Sequence, residues 1–283
     1  MTRVQTRVRA KVRTIARTSV LKLGGELIEN DEQLKVIGKA VARAAKQTPL
    51  VVVHGGGRDI DAALQQAGIP KRQVDGLRVT DAATLEVVVA VLAGSVNTKF
   101  VAAINAAGGR AVGLTGADAG VAPVKRAALH ASTGGGLVDL GLVGQPTNSS
   151  KPALVSDLCR AGYVPVVASI GAAKDGQLFN VNADTLAGSL SARIKAARLV
   201  VAGATAGVLD AQGQTVRTLN GKGIAGMVAS GTASAGMVAK LSACRSALKG
   251  GVKSVAIVDG RAPERLVRAV AGARTDASTT ITK

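Results

Sequence analysis

The chain has 283 residues, a formal net charge of +18 and 47% hydrophobic residues. Apolar residues recur in short blocks, which excludes a disordered chain and provides core for one large domain or two lobes. Aromatic residues make up only 1%, with no Trp, so Val, Leu, Ile and Ala must build the core, and the stacking platforms that hold single-stranded nucleic acid are missing.

Residues 1–18 form a basic extension. Arg3, Arg7, Arg9, Lys11, Arg13 and Arg17 occur there without an acid and account for six of the eighteen charges. Val4, Val8, Val12 and Ile15 fall at helical spacing, which predicts a basic amphipathic helix over residues 2–17. An organellar transit peptide or a helix lying on an anionic membrane has the same pattern, although this apolar stripe is narrow. The remaining positive charge is diffuse and attracts anionic substrates. No recognition motif accompanies it, so no nucleic-acid partner is expected.

Apolar β-type runs follow at residues 20–23, 50–53, 111–114, 164–168, 199–202 and 254–258. Helical patterns lie between them at 31–46, 84–107, 184–195 and 237–249. This alternation predicts an α/β fold with a mainly parallel sheet covered on both faces. Gly-rich interruptions at 121–143 and 174–180 read as hairpins or lids at the sheet edge. The loop at 145–151 reads as a boundary between two lobes, about 19–150 and about 151–283. No uninterrupted apolar run approaches ~18 residues, which argues against a membrane-spanning helix and for a cytoplasmic protein. Cys159 and Cys244 sit within apolar helical patterns and read as buried free thiols. No metal site is expected.

Four segments carry candidate chemistry. Residues 51–58 put Gly55, Gly56 and Gly57 between a β-branched run and a helical pattern. There the main chain can approach an anion with no Cβ in the way, at the positive end of a helix. The spacing is neither a Walker A loop nor a dinucleotide fingerprint. Lys22 lies inside an apolar strand just before Gly24 and Gly25; it must reach solvent or meet a negative charge. Lys240 begins a helical pattern after the Gly-rich stretch 231–236, where a cation opposes the helix dipole unless a phosphate sits beside it. Asp184 stands where a helix N-cap is expected, which alone would explain it; holding the two lysines is its second reading. His54 and His130 have no acidic or cysteine neighbours in sequence, so a histidine triad or zinc site is not expected.

Taken in order with residues 75–97 (Asp-Gly-Leu-Arg-Val-Thr-Asp through Val-Leu-Ala-Gly-Ser-Val-Asn), 162–171 and 179–190 (Phe-Asn-Val-Asn-Ala-Asp-Thr-Leu-Ala-Gly-Ser-Leu), these segments resemble the amino-acid kinase family, and within it the acetylglutamate kinases. The resemblance covers residues 19–281. It implies a three-layer α/β/α sandwich in a kinase domain at 19–283, with the acyl amino acid in the first lobe and ATP in the second. The implied activity is ATP-dependent phosphorylation of the γ-carboxylate of N-acetyl-L-glutamate, an early step of arginine biosynthesis. The alternatives are another N-acylated acidic amino acid (succinylglutamate or carrier-linked aminoadipate) or a non-catalytic amino-acid-binding member. Matching positions imply Lys22, Lys240 and Asp184 as catalytic. Gly56, Gly57, Arg78 and Asn180 would bind the acyl amino acid. Gly24, Gly25, Ala204, Gly207 and Leu209 would bind the nucleotide, with Mg²⁺ carried by its phosphates. A homodimer, or a hexamer built by the N-terminal helix and inhibited by arginine, is implied as well. One departure stands out. Family members usually place Ser-Asp-Val and a further polar residue after the strand at 199–202, where this chain reads Ala-Gly-Ala-Thr-Ala-Gly-Val-Leu.

Overall fold

The computed structural model describes residues 17–132, 134–149 and 152–283. The expected basic helix over residues 2–17 lies, Arg17 apart, outside the described residues.

The strands are β1 (Ser19–Leu23), β2 (Leu50–His54), β3 (Gln73–Val74), β4 (Leu77–Arg78), β5 (Ala111–Leu114), β6 (Val124–Arg126), β7 (His130–Ala131), β8 (Leu137–Val138), β9 (Gly144–Pro146), β10 (Val164–Ala168), β11 (Ile170–Ala172), β12 (Leu178–Asn180), β13 (Arg198–Gly203), β14 (Thr218–Leu219), β15 (Ser254–Asp259) and β16 (Ser278–Ile281). The helices are α1 (Asp31–Gln47), α2 (Gly57–Gln66), α3 (Ala82–Val89), α4 (Asn97–Ala106), α5 (Ala153–Arg160), α6 (Ala183–Arg193), α7 (Gly221–Ala229), α8 (Ala235–Lys249) and α9 (Pro263–Ala271).

Eight strands form one sheet in the order β14-β16-β15-β13-β1-β2-β10-β5. Every pairing is parallel except β15 with β16. Side chains alternate along each strand, and the two faces feed two separate cores. Val20, Val51, Val53, Leu199 and Val201 join residues of α5, α6 and α8, including Val155, Leu190 and Leu241. Leu21, Leu23, Leu50, Val52 and Val200 join α1, α4 and α9, including Ile37, Phe100 and Val270. That is the expected three-layer sandwich.

The central strand β1 has β13 on one side and β2 on the other, with Leu23 in register with both Ala202 and His54. The chain moves outward from β1 to β2 and on to β5 at the edge, returns to fill β10 between them, and then crosses back to β13. Open α/β sheets bind ligands outside the carboxyl ends of the strands at such a reversal. Among the small hairpins, β7–β8 falls within residues 121–143, a Gly-rich stretch read as hairpins or lids; β6–β9 and β11–β12 each have one strand in such a stretch (β6, β12) and the other outside it (β9, β11), and β3–β4 lies within residues 73–78.

The helix expected at 84–107 starts earlier and is interrupted. Asp81 caps it by accepting from Thr84 N, and residues Ala90–Val96 wind as a π-helix. By length and mean composition the stretch Ala82–Ala106 could cross a membrane, although Thr84, Glu86, Asn97 and Lys99 interrupt its apolar residues. Here its Val88, Leu92, Val96, Phe100 and Ile104 are buried in the protein core. Both cysteines are buried thiols outside any disulfide.

Candidate active site

Lys22 shares its strand face with Val20, the face that α6 and α8 cover. A lone cation there would be costly. Asp184, in the first turn of α6, lies with Oδ1 3.0 Å from Lys22 Nζ, and the two side chains are only 8% and 7% exposed. Oδ1 takes no aligned hydrogen bond, so this contact is a close ion pair. Asp184 is not the helix cap: Asn182 has that role, accepting from Thr185 N at 3.0 Å. Asn182 has extended backbone, whereas Asp184 is already helical, which frees the Asp184 carboxylate for Lys22.

Lys240 does not begin its helix either. Ser234 caps α8 and accepts from Met237 N, so Lys240 sits in the second turn and the end-of-helix dipole argument does not apply to it. Its half-buried side chain reaches the carboxyl end of β13, with Cε 3.8 Å from the place a Cβ on Gly203 would occupy. Among the described residues it makes no ion pair with Asp184. All three groups nonetheless surround Cys244. Burial pushes that thiol pKa up; Asp184 pushes the same way, and both lysines oppose it. Close packing of α6 on α8 brings them together: a Cβ on Gly188 would meet Ala243 O at 2.8 Å.

The loops after β1 and β2 touch backbone to backbone. A Cβ on Gly25 would lie 3.1 Å from Gly56 Cα and 3.3 Å from Gly57 N, so glycine at 25 is a steric need. Helix α2 starts at Gly57, with Gly56 before it and no side-chain cap. Its first N–H groups are therefore unclaimed by the helix. Nothing lies within 4 Å of a Cβ placed on Gly57.

These elements enclose a cavity of about 220 Å³, lined by Lys22, Gly56, Gly57, Arg78, Asn180 and Asp184, with Ile60, Leu77 and Leu92 as apolar wall. Arg78 is held by Nη2, which donates to Asp61 and, at 3.3 Å, to Gly57 O. Its Nη1 is buried without a partner. Asn180 Nδ2 donates to Thr80 Oγ1 at 3.1 Å. Lys22, Asp184, Gly56, Gly57, Arg78 and Asn180 thus converge on one cavity; Lys240 is not among its lining residues.

The residues expected on the nucleotide side, Gly24, Gly25, Ala204, Gly207 and Leu209, are not among those lining that cavity. Gly24 N donates to Ala202 O at 2.9 Å, tying β1 to β13. Gly207 has φ +78, and a Cβ on it would meet Thr279 Oγ1 at 2.6 Å, so the fold itself requires that glycine. Ala204 and Leu209 are exposed. Among the described residues no group of three His, Cys, Asp or Glu side chains could hold a metal ion.

Sequence reasoning missed several supports. Asp61, one helical turn after Gly57, anchors Arg78 and also Lys71 at 2.6 Å. Burial disfavours its charged form, but hydrogen bonds from Lys71 and Arg78 outweigh this and hold its pKa below the usual value. The only local hint was an acid on the helix after the glycines. His54 is fully buried: Nδ1 faces Gly55 O at 3.1 Å, and Nε2 faces Asn97 Nδ2 at 3.0 Å. Asn97 Nδ2 also donates to Val166 O at 2.9 Å. Burial drives the His54 pKa down to about 4, so the ring is neutral and braces the glycine loop. His130, without an acidic neighbour in sequence, meets Asp75 at 2.7 Å across two hairpins.

Residues 17–259 match the Amino acid kinase family. This chain belongs to that family. It is 38% identical over 273 residues to an acetylglutamate kinase of Novosphingobium aromaticivorans, covering 93% of this chain and 89% of the relative. It is 41% identical over 246 residues to an acetylglutamate kinase of Dinoroseobacter shibae, covering 86% and 82%. Among solved structures, N-acetylglutamate synthase from Neisseria gonorrhoeae, complexed with coenzyme A and N-acetyl-glutamate, superposes with a TM-score of 0.79 at 23% identity. That likeness covers 96% of this chain and 60% of the synthase chain; at this identity it concerns the fold alone. The family's sandwich is the one described above.

Proposed function

We infer that the chain transfers the γ-phosphoryl group of ATP to the γ-carboxylate of N-acetyl-L-glutamate, an early step of arginine biosynthesis. The relatives named acetylglutamate kinase support this over nearly the whole chain. The observation that carries it to the site is the partnerless Nη1 of a buried Arg78 that lines the same small cavity as Lys22 and Asp184. At about 220 Å³ the cavity is below the ~300–1,000 Å³ usual for drug-sized ligands, in keeping with a small acyl amino acid.

Arg78 holds the substrate α-carboxylate through Nη1, while Asp61 and Gly57 O fix the guanidinium plane. Asn180 hydrogen-bonds the acyl amino acid. The γ-carboxylate, with an ordinary pKa of about 4.3, is already ionised at neutral pH, so no general base is required. One of its oxygens attacks the γ-phosphorus in line, the bond to the β,γ-bridging oxygen breaks, and an acyl phosphate and ADP result. Lys22, Lys240 and the free N–H groups at the start of α2 neutralise charge spread over the transferring oxygens. Asp184 keeps Lys22 in place. Gly24, Gly25, Ala204, Gly207 and Leu209 form the nucleotide side. Mg²⁺ bound to the nucleotide phosphates would add further positive charge there.

The test is a coupled ATPase assay with N-acetylglutamate, N-succinylglutamate and N-acylated aminoadipate at equal concentrations. N-acetylglutamate is expected to give the highest kcat/KM; turnover with none of them, or preference for another, overturns the assignment.

A further inference from the structure

Glu26 has no part in the scheme above, yet its carboxylate lies among the groups assigned to the nucleotide. Its two oxygens sit 2.3 Å from the place a Cβ on Gly24 would occupy, directly over that glycine. Oε1 accepts the backbone N–H of Ala204 at 3.2 Å. The same oxygen is 3.1 Å from a Cβ position on Gly203, where Lys240 Cε is also within 3.8 Å. A glycine face, an amide N–H at the carboxyl end of a central strand and a nearby lysine are features that gather around phosphate. Here the chain's own carboxylate occupies them. Glu26 follows Gly25 in a short 3-10 turn, Gly25–Leu27. It is only half-buried, so its side chain can swing outward while the backbone stays in place.

We propose that Glu26 is a resident stand-in for a nucleotide phosphate, held on Gly24 and Ala204 and displaced when the nucleotide enters. The proposal rests on the kinase reading above. Displacement exchanges one anion for another, so the amide N–H of Ala204 keeps an acceptor and Lys240 keeps a negative neighbour. The cost is competition. A carboxylate close to an incoming phosphate is repelled by it, and apparent nucleotide affinity is lower than the same site would have without the charge. Glu26 is thus a positioning residue that sets nucleotide affinity, and it contributes no bond to the transferring group.

The test compares wild type with Glu26→Gln, which keeps shape and removes charge, and with Glu26→Ala, which removes the side chain. Calorimetry measures ADP and ATP binding, each with and without Mg²⁺ and without an acyl amino acid, and steady-state kinetics measure both KM values. Both variants are expected to bind nucleotide about five- to tenfold more tightly, with a matching fall in KM for ATP. KM for N-acetylglutamate and the urea midpoint should stay within about twofold of wild type. Equal or weaker nucleotide binding by both variants overturns the proposal, and weakening confined to the Mg²⁺ arm would make Glu26 a partner of the metal-bound nucleotide instead. If neither wild type nor variants bind any nucleotide, the proposal fails with the kinase reading. If the variants bind more tightly while no acyl amino acid is turned over, only the substrate assignment falls.

Discussion

Replacing Asp184 with Asn keeps the side-chain shape and removes one charge of a buried pair. Lys22 Nζ and Asp184 Oδ1 are 3.0 Å apart and both side chains are under a tenth exposed. At that distance, with an effective dielectric of about 20, the attraction is about 5 kcal/mol. Desolvation offsets much of it while both charges are present. Removing one partner leaves the other buried and unpaired, which costs about 3–5 kcal/mol. Asp184→Asn should therefore lower stability by about that amount in urea denaturation, and lower kcat about 10²-fold because Lys22 is no longer held for the transfer. The double variant Lys22→Met/Asp184→Leu removes both charges and should regain most of the lost stability, while remaining inactive. A loss below about 1 kcal/mol in Asp184→Asn, or a double variant no more stable than the single, would refute the reasoning.

Arg78→Lys should raise KM for N-acetylglutamate about tenfold or more and leave KM for ATP nearly unchanged, because a point charge cannot reach Asp61 and substrate together as the planar fork does; equal rises in both would make Arg78 purely structural. Lys240→Ala should cut kcat by about 10²-fold while N-acetylglutamate binding changes little, and a turnover within a few-fold of wild type by the coupled assay rejects its role. His54 carries a pH signature. Its folded pKa, about 4, lies below the ordinary value near 6.5, so the unfolded chain binds the extra proton between the two. The stability it confers is complete above about pH 6.5 and is lost as pH falls toward 4, by about 3 kcal/mol. Urea midpoints of wild type and His54→Gln across pH 4–7 should differ in slope in that window and run parallel above it; parallel curves throughout would contradict the burial of a neutral ring.

The layered α/β fold, and those candidate site residues that sit on local landmarks, can be read from the residue pattern. Two-residue alternation in β1 and β2 fixes which residues face which helical layer, and glycines after those strands mark where the backbone must come close. Lys22, Gly56 and Gly57 were legible on those grounds. Arg78, Asn180 and the catalytic reading of Asp184 came from resemblance to the family. Tertiary structure decided the partnerships. Asp184 looked like a cap because capping residues and first-turn acids have similar sequence signatures; only the backbone conformation of Asn182 separates them. The start of α8 was misread because glycine and alanine at its beginning carry little periodic signal, while the Ser234 cap is a single side chain. Asp61 beneath Arg78, Asn97 against His54 and Glu26 against Ala204 pair residues 17, 43 and 178 positions apart. No local pattern announces such pairs. They exist because a parallel sheet places distant strand ends side by side, and a side chain's partner across that edge is set by strand order, which spacing along the chain does not encode.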